Sequence, residues 1–373
     1  MKVEYSGHIF EMQRYGGISR YFIETGRRLV ENHGIDLDFD TRYYINEYLG
    51  EKRSHESWER GKEGFVKGLN ALKRRHVLGN KMYRYAKHIR KEIDIYHLTY
   101  YQSNTRRKNS KKTVVTVYDM VHELFPECFM KSDQTAAAKR NAITRSDHII
   151  AISENTKWDL VRLLGLNPEK ISVITLGVTD EVRILEPEIR VDDCQSKSRY
   201  LLYVGKRGGY KNFRRFAESY AMSGVKEEVR VVVFGGGRFD TYEKQWLREL
   251  GIDRYVEYAG EEDDSLSSLY EQAEAMVYPS LYEGFGIPPL EAMKNSCAVL
   301  ASNTSSIPEV VGDAALLFDP YSVEEITSAI RQVTYSASVR RELVSRGQKR
   351  VKEFSWEKTA KQTAEIYEEV LGR

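Results

Sequence analysis

Two glutamates, Glu283 and Glu291, stand with seven residues between them in the stretch Tyr278 to Met293, which reads YPSLYEGFGIPPLEAM. The apolar run Ala275–Tyr278 predicts a strand that stops at Pro279-Ser280. Gly284 and Gly286 then give the backbone room for close approach of a ligand. Pro288-Pro289 falls where a first helical turn tolerates proline, and Leu290, Glu291, Ala292 and Met293 carry a helix onward. Strand, glycine loop and helix N-terminus together leave unbonded N–H groups and a positive dipole end in one place, which suits an anion. A carboxylate beside such a site would be repelled by the anion itself. It makes chemical sense as an acceptor for hydroxyls of the same ligand, so the set asks for a sugar nucleotide: diphosphate on the N–H groups, hydroxyls on the carboxylates. A bare pair of glutamates on a strand–loop–helix turn is also what a solvated turn presents, and the intervening GFGIPPL is what sharpens the reading.

Other candidates sit at the ends of predicted strands. After Tyr200–Val204 comes Gly205-Lys-Arg-Gly-Gly-Tyr-Lys-Asn212, a basic glycine loop before a helix. Lys206, Arg207 and Lys211 there suit a diphosphate leaving group, and a solvated turn has the same composition. Asp119 and His122 follow the strand Thr113–Tyr118, and ligands of doubly wound sheets lie outside the carboxyl ends of strands. Gly16-Gly17 opens a helix near the N-terminus, a tight turn or a second place where N–H groups face an oxyanion. No G-x-G-x-x-G fingerprint accompanies it, which argues against a dehydrogenase.

Glu283-Gly-Phe-Gly-Ile-Pro-Pro-Leu-Glu291 resembles the E-x7-E signature of retaining GT-B glycosyltransferases of family 4, in the branch that includes many bacterial mannosyltransferases. Asn295–Asn303 and Ser306-Ile-Pro-Glu-Val310 extend the likeness. The resemblance implies two Rossmann-like domains facing across a cleft that holds the active site, and transfer of a hexosyl group with retained configuration. It implies that Lys206 or Arg207, with Lys211 and the N–H groups of Gly284, Phe285, Gly286 and Ile287, neutralises the departing diphosphate, and that Gly17 faces it too. Glu283 then holds donor-sugar hydroxyls and steadies positive charge at the anomeric carbon, Glu291 binds ribose, His122 faces the hexose and Gly260 lies near the base. Tyr210 departs from the pattern, since relatives usually carry another arginine there. With cations placed this way no metal and no other cofactor is expected. GDP-mannose is the first expectation for the donor and a UDP-hexose the second, with a glycan or lipid-linked acceptor in surface polysaccharide synthesis. A nucleotide-sugar epimerase and a non-catalytic sugar-nucleotide-binding protein are the alternatives.

These residues need a scaffold. At 373 residues, with 41% hydrophobic and 30% charged side chains, the chain is a globular protein long enough for two cores. Strands alternate with helices in two runs, predicting an α/β fold of two doubly wound domains. The boundaries read as 1–187, which the resemblance makes the acceptor-side domain, a linker at 188–198 within the polar stretch Thr179–Ser198, a nucleotide-sugar domain at 199–354, and a C-terminal helix at 355–373 that packs back on the first domain. Residues 2 to 10 read as a poor first strand. Ser153 is the expected N-cap of a helix over Asn155–Leu164, and Glu261–Asp264 the expected start of another. Cys128, Cys194 and Cys297 show neither metal nor disulfide spacing and read as buried fillers. No apolar run approaches membrane-spanning length and the N-terminus lacks a signal-peptide core, so the expectation is a cytoplasmic protein; the resemblance, with the basic run that follows, adds a peripheral place on the inner membrane face. Residues 52–91 carry thirteen Lys and Arg against three acids. Arg106-Arg107-Lys108 and Lys111-Lys112 form a second basic knot. A solvated helical face, an anionic membrane surface and nucleic acid are the three readings, the last without any accompanying motif and so not expected as a partner.

Overall fold

Short runs of branched apolar residues, too brief for helices and flanked by glycine or polar turns, form twelve strands among the described residues, 1–41, 44–52, 92–101, 109–178, 199–260 and 266–372 of a computed structural model. The chain divides into two units. The first comprises Met1–His122, Met130–Gly177 and Trp356–Arg373, the second Glu123–Phe129 and Val178–Ser355.

In the first unit β1 (Lys2–Ser6), β2 (Asp36–Asp40), β3 (Ile93–Leu98), β4 (Ser110–Val117), β5 (His148–Ala151) and β6 (Ile171–Val173) lie in the order β2-β1-β3-β4-β5-β6, all pairings parallel. Helices on both faces are what bury such strands, and Val3, Ile95, Val115 and Ile149 are at most 1% exposed. The chain reverses its direction of travel across the sheet between β1 and β3. The C-terminal helix Trp356–Leu371 belongs to this unit and packs on the helix Gly17–His33. It buries Trp356, Ala360, Ala364 and Tyr367, one face of a 3.6-residue period.

The second unit holds β7 (Tyr200–Val204), β8 (Arg230–Phe234), β9 (Val256–Gly260), β10 (Ala275–Tyr278), β11 (Val299–Ser302) and β12 (Leu316–Phe318) in the order β12-β11-β10-β7-β8-β9, again parallel throughout. Its core gathers Leu201, Phe216, Val231, Val277, Leu300 and Ile330, each at most 1% exposed. Here the reversal lies between β7 and β10. Two doubly wound parallel sheets are therefore the architecture, as expected.

Several details differ from expectation. The first strand stops at Ser6 rather than residue 10, because His8–Met12 closes into a helical turn that buries Ile9 and Phe10. The strand Asp36–Asp40 was not foreseen: its alternating acids hide a strand whose Phe39 faces inward and whose Asp40 carboxylate accepts from the Tyr96 hydroxyl at 2.9 Å. Residues Glu123–Phe129, expected in the first domain, group with the second unit. Cys297 is buried as expected but Cys128 is exposed, a correction that follows from its place in a surface turn. Ser153 does cap its helix, accepting from Thr156 N at 3.0 Å. The basic run over 53–91, Arg106–Lys108, the stretch 179–198 with Cys194, and Glu261–Asp264 lie outside the described residues.

Candidate active site

The loops after β7 and β10 flank the reversal point of the second sheet, where open α/β sheets take ligands. Each loop is fixed by side chains of its own unit. The Tyr203 hydroxyl, at the end of β7, donates to the carbonyl oxygens of Lys206 (2.6 Å) and Lys211 (3.3 Å), closing the basic loop on itself. Asn212, in left-handed conformation at φ +58°, donates from Nδ2 to the carbonyls of Pro279 (3.0 Å) and Pro320 (2.8 Å). Leu281 N donates to Tyr210 O at 2.7 Å, so the two loops are stitched together. Gly209 sits at φ +57°, and a Cβ there would meet Cys128 Sγ at 2.5 Å, so both backbone and packing favour glycine.

That geometry brings Lys211 and Glu283 into contact. Lys211 Nζ lies 2.7 Å from Glu283 Oε1, with the lysine side chain 21% and the glutamate 12% exposed. The ammonium also stands 5.3 Å from the Tyr210 ring centroid and 6.0 Å from that of Tyr278. Burial first, and the charge of Glu283 after it, push the hydroxyls of Tyr203 and Tyr278 well up, so both stay protonated donors.

The helix Ile287–Lys294 starts as the paired prolines require, with Pro at its first positions and Gly286 as N-cap at φ +102°. No side chain caps it, and the N–H groups of Phe285, Gly286 and Ile287 find no acceptor among the described residues. Glu291, one turn on, is half-buried. The loop between Tyr278 and this helix is bracketed by hydroxyls that sequence reasoning did not single out. Ser302 Oγ donates to Tyr278 O (3.3 Å), Thr304 Oγ1 to Leu281 O (3.1 Å), and Ser306 Oγ to Glu283 O (2.8 Å) and Phe285 O (3.1 Å). Ser305 Oγ accepts from Glu283 N at 2.9 Å. The signal available was the hydroxyl-rich run Ser302-Asn-Thr-Ser-Ser306 directly after a strand.

The alternative left open between Lys206 and Arg207 now has a physical basis. Arg207 is engaged within its own unit. Its fork binds both carboxylate oxygens of Glu243 (2.7 and 3.0 Å), and its remaining N–H groups donate to the carbonyls of Gly235 (3.0 Å), Gly237 (2.8 Å) and Arg238 (3.3 Å). Its guanidinium also lies 4.7 Å from the Phe239 ring centroid, and the side chain is 5% exposed. It clamps the triplet Gly235–Gly237, whose three residues all have positive φ. Lys206 is exposed, and its ammonium has no hydrogen-bond or ion-pair partner among the described residues. Tyr210, where a further arginine was the pattern, packs against Phe125 (5.8 Å) and Phe129 (6.5 Å), fixing the Glu123–Phe129 segment of this unit. Gly260 ends β9 at φ +113°.

In the first unit, Gly17 begins the long helix and Gly16 is its N-cap, but the site is partly closed: Gln13 Oε1 accepts from Ser19 N at 3.4 Å. His122 lies in the short helix Val121–Leu124, whose first turn is capped by Asp119 Oδ1 accepting from Val121 N at 3.1 Å. Its Nε2 is 4.0 Å from Asp133 Oδ2. Hydrogen bonds with Thr135, and then the His122 charge, hold the Asp133 carboxyl below its ordinary value. Behind Asp119 is a lysine that the sequence pattern concealed. Lys139 is 0% exposed, donates to Asp119 O at 2.8 Å, and places its ammonium 3.7 Å from Asp119 Oδ1 and 5.5 Å from the Tyr101 ring centroid. Among the described residues, no three His, Cys, Asp or Glu side chains converge as a metal site, and no helix is long and apolar enough to cross a membrane.

The arrangement in the second unit therefore offers cations, open N–H groups and a carboxylate at one strand-end crevice. Residues 15–182 match the family model described as Glycosyltransferase Family 4, and residues 186–350 that described as Glycosyl transferases group 1. The O-antigen chain mannosyltransferase B of Escherichia coli is 30% identical over 69% of this chain and 70% of its own length. The MMP alpha-(1->4)-mannosyltransferase of Mycolicibacterium hassiacum is 28% identical over 60% of this chain and 54% of its own length. Among solved structures, sucrose-phosphate synthase from Thermosynechococcus elongatus aligns with a TM-score of 0.73 at 18% identity, over 100% of this chain and 99% of that one. Anabaena HepE in complex with UDP and glucose aligns at 0.68 and 17% identity, over 98% and 99%.

Proposed function

This chain belongs to glycosyltransferase family 4, with the GT-B fold, and from that premise we propose that it moves a hexosyl group from a nucleoside-diphosphate sugar to a hydroxyl of a glycan or lipid-linked acceptor, with retention at the anomeric carbon. GDP-mannose is the first donor candidate and a UDP-hexose the second. Relatives named as mannosyltransferases support the first, and a structural neighbour holding UDP and glucose supports the second. The acceptor class rests on the O-antigen chain relative, which supports a reaction in surface polysaccharide synthesis.

The observation that carries the reading is the Lys211–Glu283 pair beside the open N–H groups of Phe285, Gly286 and Ile287. In the reaction the bond from the anomeric carbon to the diphosphate oxygen breaks and its electron pair leaves with the diphosphate. The acceptor oxygen bonds to the same face of that carbon, and its proton passes to the departing diphosphate. Lys211, Lys206 and the N–H groups, with Gly17 from the resemblance, stabilise the charge that develops on the leaving group. These fixed cations do the work a divalent ion does elsewhere, so turnover is independent of added metal. Glu283, released in part from Lys211 when phosphate takes the lysine, accepts from donor hydroxyls and steadies the anomeric carbon. Glu291 takes the ribose hydroxyls, Gly260 approaches the base, and His122 takes a hexose hydroxyl on the resemblance alone.

The test is thermal-shift binding across GDP-, UDP- and ADP-sugars, then nucleotide release with the best of them, with and without a chelator. Stabilisation by one donor and chelator-resistant release is the expected result. Release that disappears with chelator and returns with magnesium refutes the metal-independent mechanism, and no stabilisation by any sugar nucleotide refutes the donor assignment.

A further inference from the structure

Behind the open N–H groups of the second unit lies an aromatic pair that the glycosyl-transfer chemistry does not use. The Phe285 ring, 3% exposed, meets the Phe354 ring edge to face, with centroids 5.7 Å apart and planes at 76°. On its main-chain side the same residue is held by Ser306 Oγ, which donates to Phe285 O at 3.1 Å. Ring and carbonyl are thus fixed separately, and with them the peptide plane that carries the Gly286 N–H. Phe354 is 5% exposed, and the Arg350 guanidinium stands 5.0 Å from its ring centroid. Arg350 is itself tied down, donating from Nε to Val310 O at 2.9 Å and from Nη1 to Glu353 Oε2 at 2.6 Å. The Phe354 backbone is pinned on both sides, its N–H donating to Val351 O at 3.2 Å and its carbonyl accepting from Val178 N at 3.0 Å. Val178 and Ser355 are the first and last residues of the long stretch of the second unit. Their outer neighbours, Gly177 and Trp356, belong to the first unit, where a Cβ on Gly177 would stand 2.4 Å from Trp356 N.

Phe354 therefore has its ring on the loop that presents the N–H groups and its carbonyl on the residue where the chain enters the unit. Close-packed interiors pass a displacement on rather than absorb it, and an edge-to-face pair has a preferred angle that an aliphatic contact lacks. An anion accepted by the N–H groups of Phe285, Gly286 and Ile287 draws that backbone to one position, and both rings follow. We propose that Phe354 is a positioning residue: it aims the N–H groups that receive a diphosphate, and their occupation tightens the hydrogen bond from Val178 to Phe354. The nucleotide as the source of that diphosphate rests on the glycosyl-transfer reading; the aromatic support does not.

Calorimetry with GDP, UDP and inorganic pyrophosphate on the full chain tests it, with residue-resolved hydrogen exchange on the same samples. In the parent the bound diphosphate should slow exchange at Val178 N–H severalfold. Phe354→Leu keeps an apolar filling and loses the ring, so it should weaken the diphosphate about tenfold and abolish its effect at Val178. Phe354→Tyr, which keeps the ring, should stay within about threefold of the parent and retain the effect. If Phe354→Leu fails to fold, Arg350→Met, which takes away the guanidinium that holds the Phe354 ring, is read for the same two losses. Unchanged affinity in Phe354→Leu, binding in the parent without slower exchange at Val178, or equal losses in the Leu and Tyr variants each overturns the proposal and leaves the donor reading standing. Pyrophosphate binding with this dependence on Phe354, but no binding of GDP or UDP, supports the proposal and refutes the donor reading instead. No binding of any of the three overturns both.

Discussion

The two sheets share a topology and differ in what they place at the point where the chain reverses. Between β7 and β10 stand Lys206, Lys211, Glu283 and a helix start with open N–H groups. Between β1 and β3 stand His8 and Tyr100, with Asp119, His122 and Asp133 nearby. One strand end gathers cations and open N–H groups, the other aromatic rings. A doubly wound sheet thus fixes where a ligand goes, and the strand-end residues decide which ligand.

The interiors differ as well. The second unit's core is aliphatic and aromatic, whereas the first buries an imidazole. His97 is 0% exposed, with Nδ1 2.6 Å from the Tyr367 hydroxyl and Nε2 2.8 Å from Thr116 Oγ1. Burial lowers it from 6.5 to about 3. Below about pH 6.5 the unfolded imidazole takes up a proton that the folded one refuses until about pH 3, so the unfolded state binds more protons throughout that window. Stability therefore falls as pH falls, by roughly 4–5 kcal/mol when the window is fully crossed. Segment-resolved hydrogen exchange at pH 7, 5 and 4 should show the first unit losing protection ahead of the second. His97→Gln should flatten the dependence; an unchanged slope would show that His97 is not its source.

Next in size is the charge-holding crevice. Lys211→Ala should slow nucleotide release by about 10²–10³, the scale of losing one preorganised donor to a leaving group, ~3–4 kcal/mol. Arg207→Lys is the sharpening contrast. It breaks a clamp on Gly235–Gly237 rather than a ligand contact, so it should lower the melting temperature more than it lowers kcat. Release as fast as the parent in Lys211→Ala would remove that lysine from the leaving-group role.

In the other crevice the comparable support is Lys139, which holds Asp119 and through it the helix start carrying His122. Lys139→Met keeps the length and removes the charge, leaving the Asp119 carbonyl without its donor and the carboxylate without its ion-pair partner. Because Asp119 is 34% exposed, the cost is discounted from that of a wholly buried pair to about 2–3 kcal/mol. Urea unfolding measures it, and a midpoint equal to the parent's would show that solvent replaces the lysine.

How much of this was legible follows the same division. Glu283, Lys211 and the helix start at Ile287 could be read because glycine, proline and charge sit in a local order whose physics is local. Strands such as Tyr200–Val204, Arg230–Phe234 and Ala275–Tyr278 were legible to the residue, being apolar runs broken only by Arg230 at an exposed strand start. Asp36–Asp40 was not, since a parallel strand paired to β1 tolerates acids that no single-strand pattern favours. Neither was the fate of Arg207, set by Glu243 thirty-six residues on, nor that of Lys139, an ordinary surface-helix residue by pattern that the fold buries completely. His8 and Tyr100 meet across ninety-two positions, a pairing that only the strand order creates.

The smallest effect separates the two ways the loops are held. The first unit uses a single ammonium behind Asp119; the second uses the row of hydroxyls after β11. Ser306 is 0% exposed and serves both Glu283 O and Phe285 O, so Ser306→Ala leaves two carbonyls short of a donor without creating a large cavity. Each loss is on the order of 1 kcal/mol in stability, and carbonyls retain a second lone pair for water, so the sum should be about 1–2 kcal/mol. The functional consequence should be larger than that figure suggests, because these carbonyls orient Glu283 and the N–H groups beside it. If the hydroxyl row exists to aim the site, Ser306→Ala raises the Kd for the nucleotide severalfold, and Ser306→Thr, which keeps the hydroxyl, restores it. If the row only stabilises the fold, both variants shift the melting temperature and leave nucleotide affinity where it was.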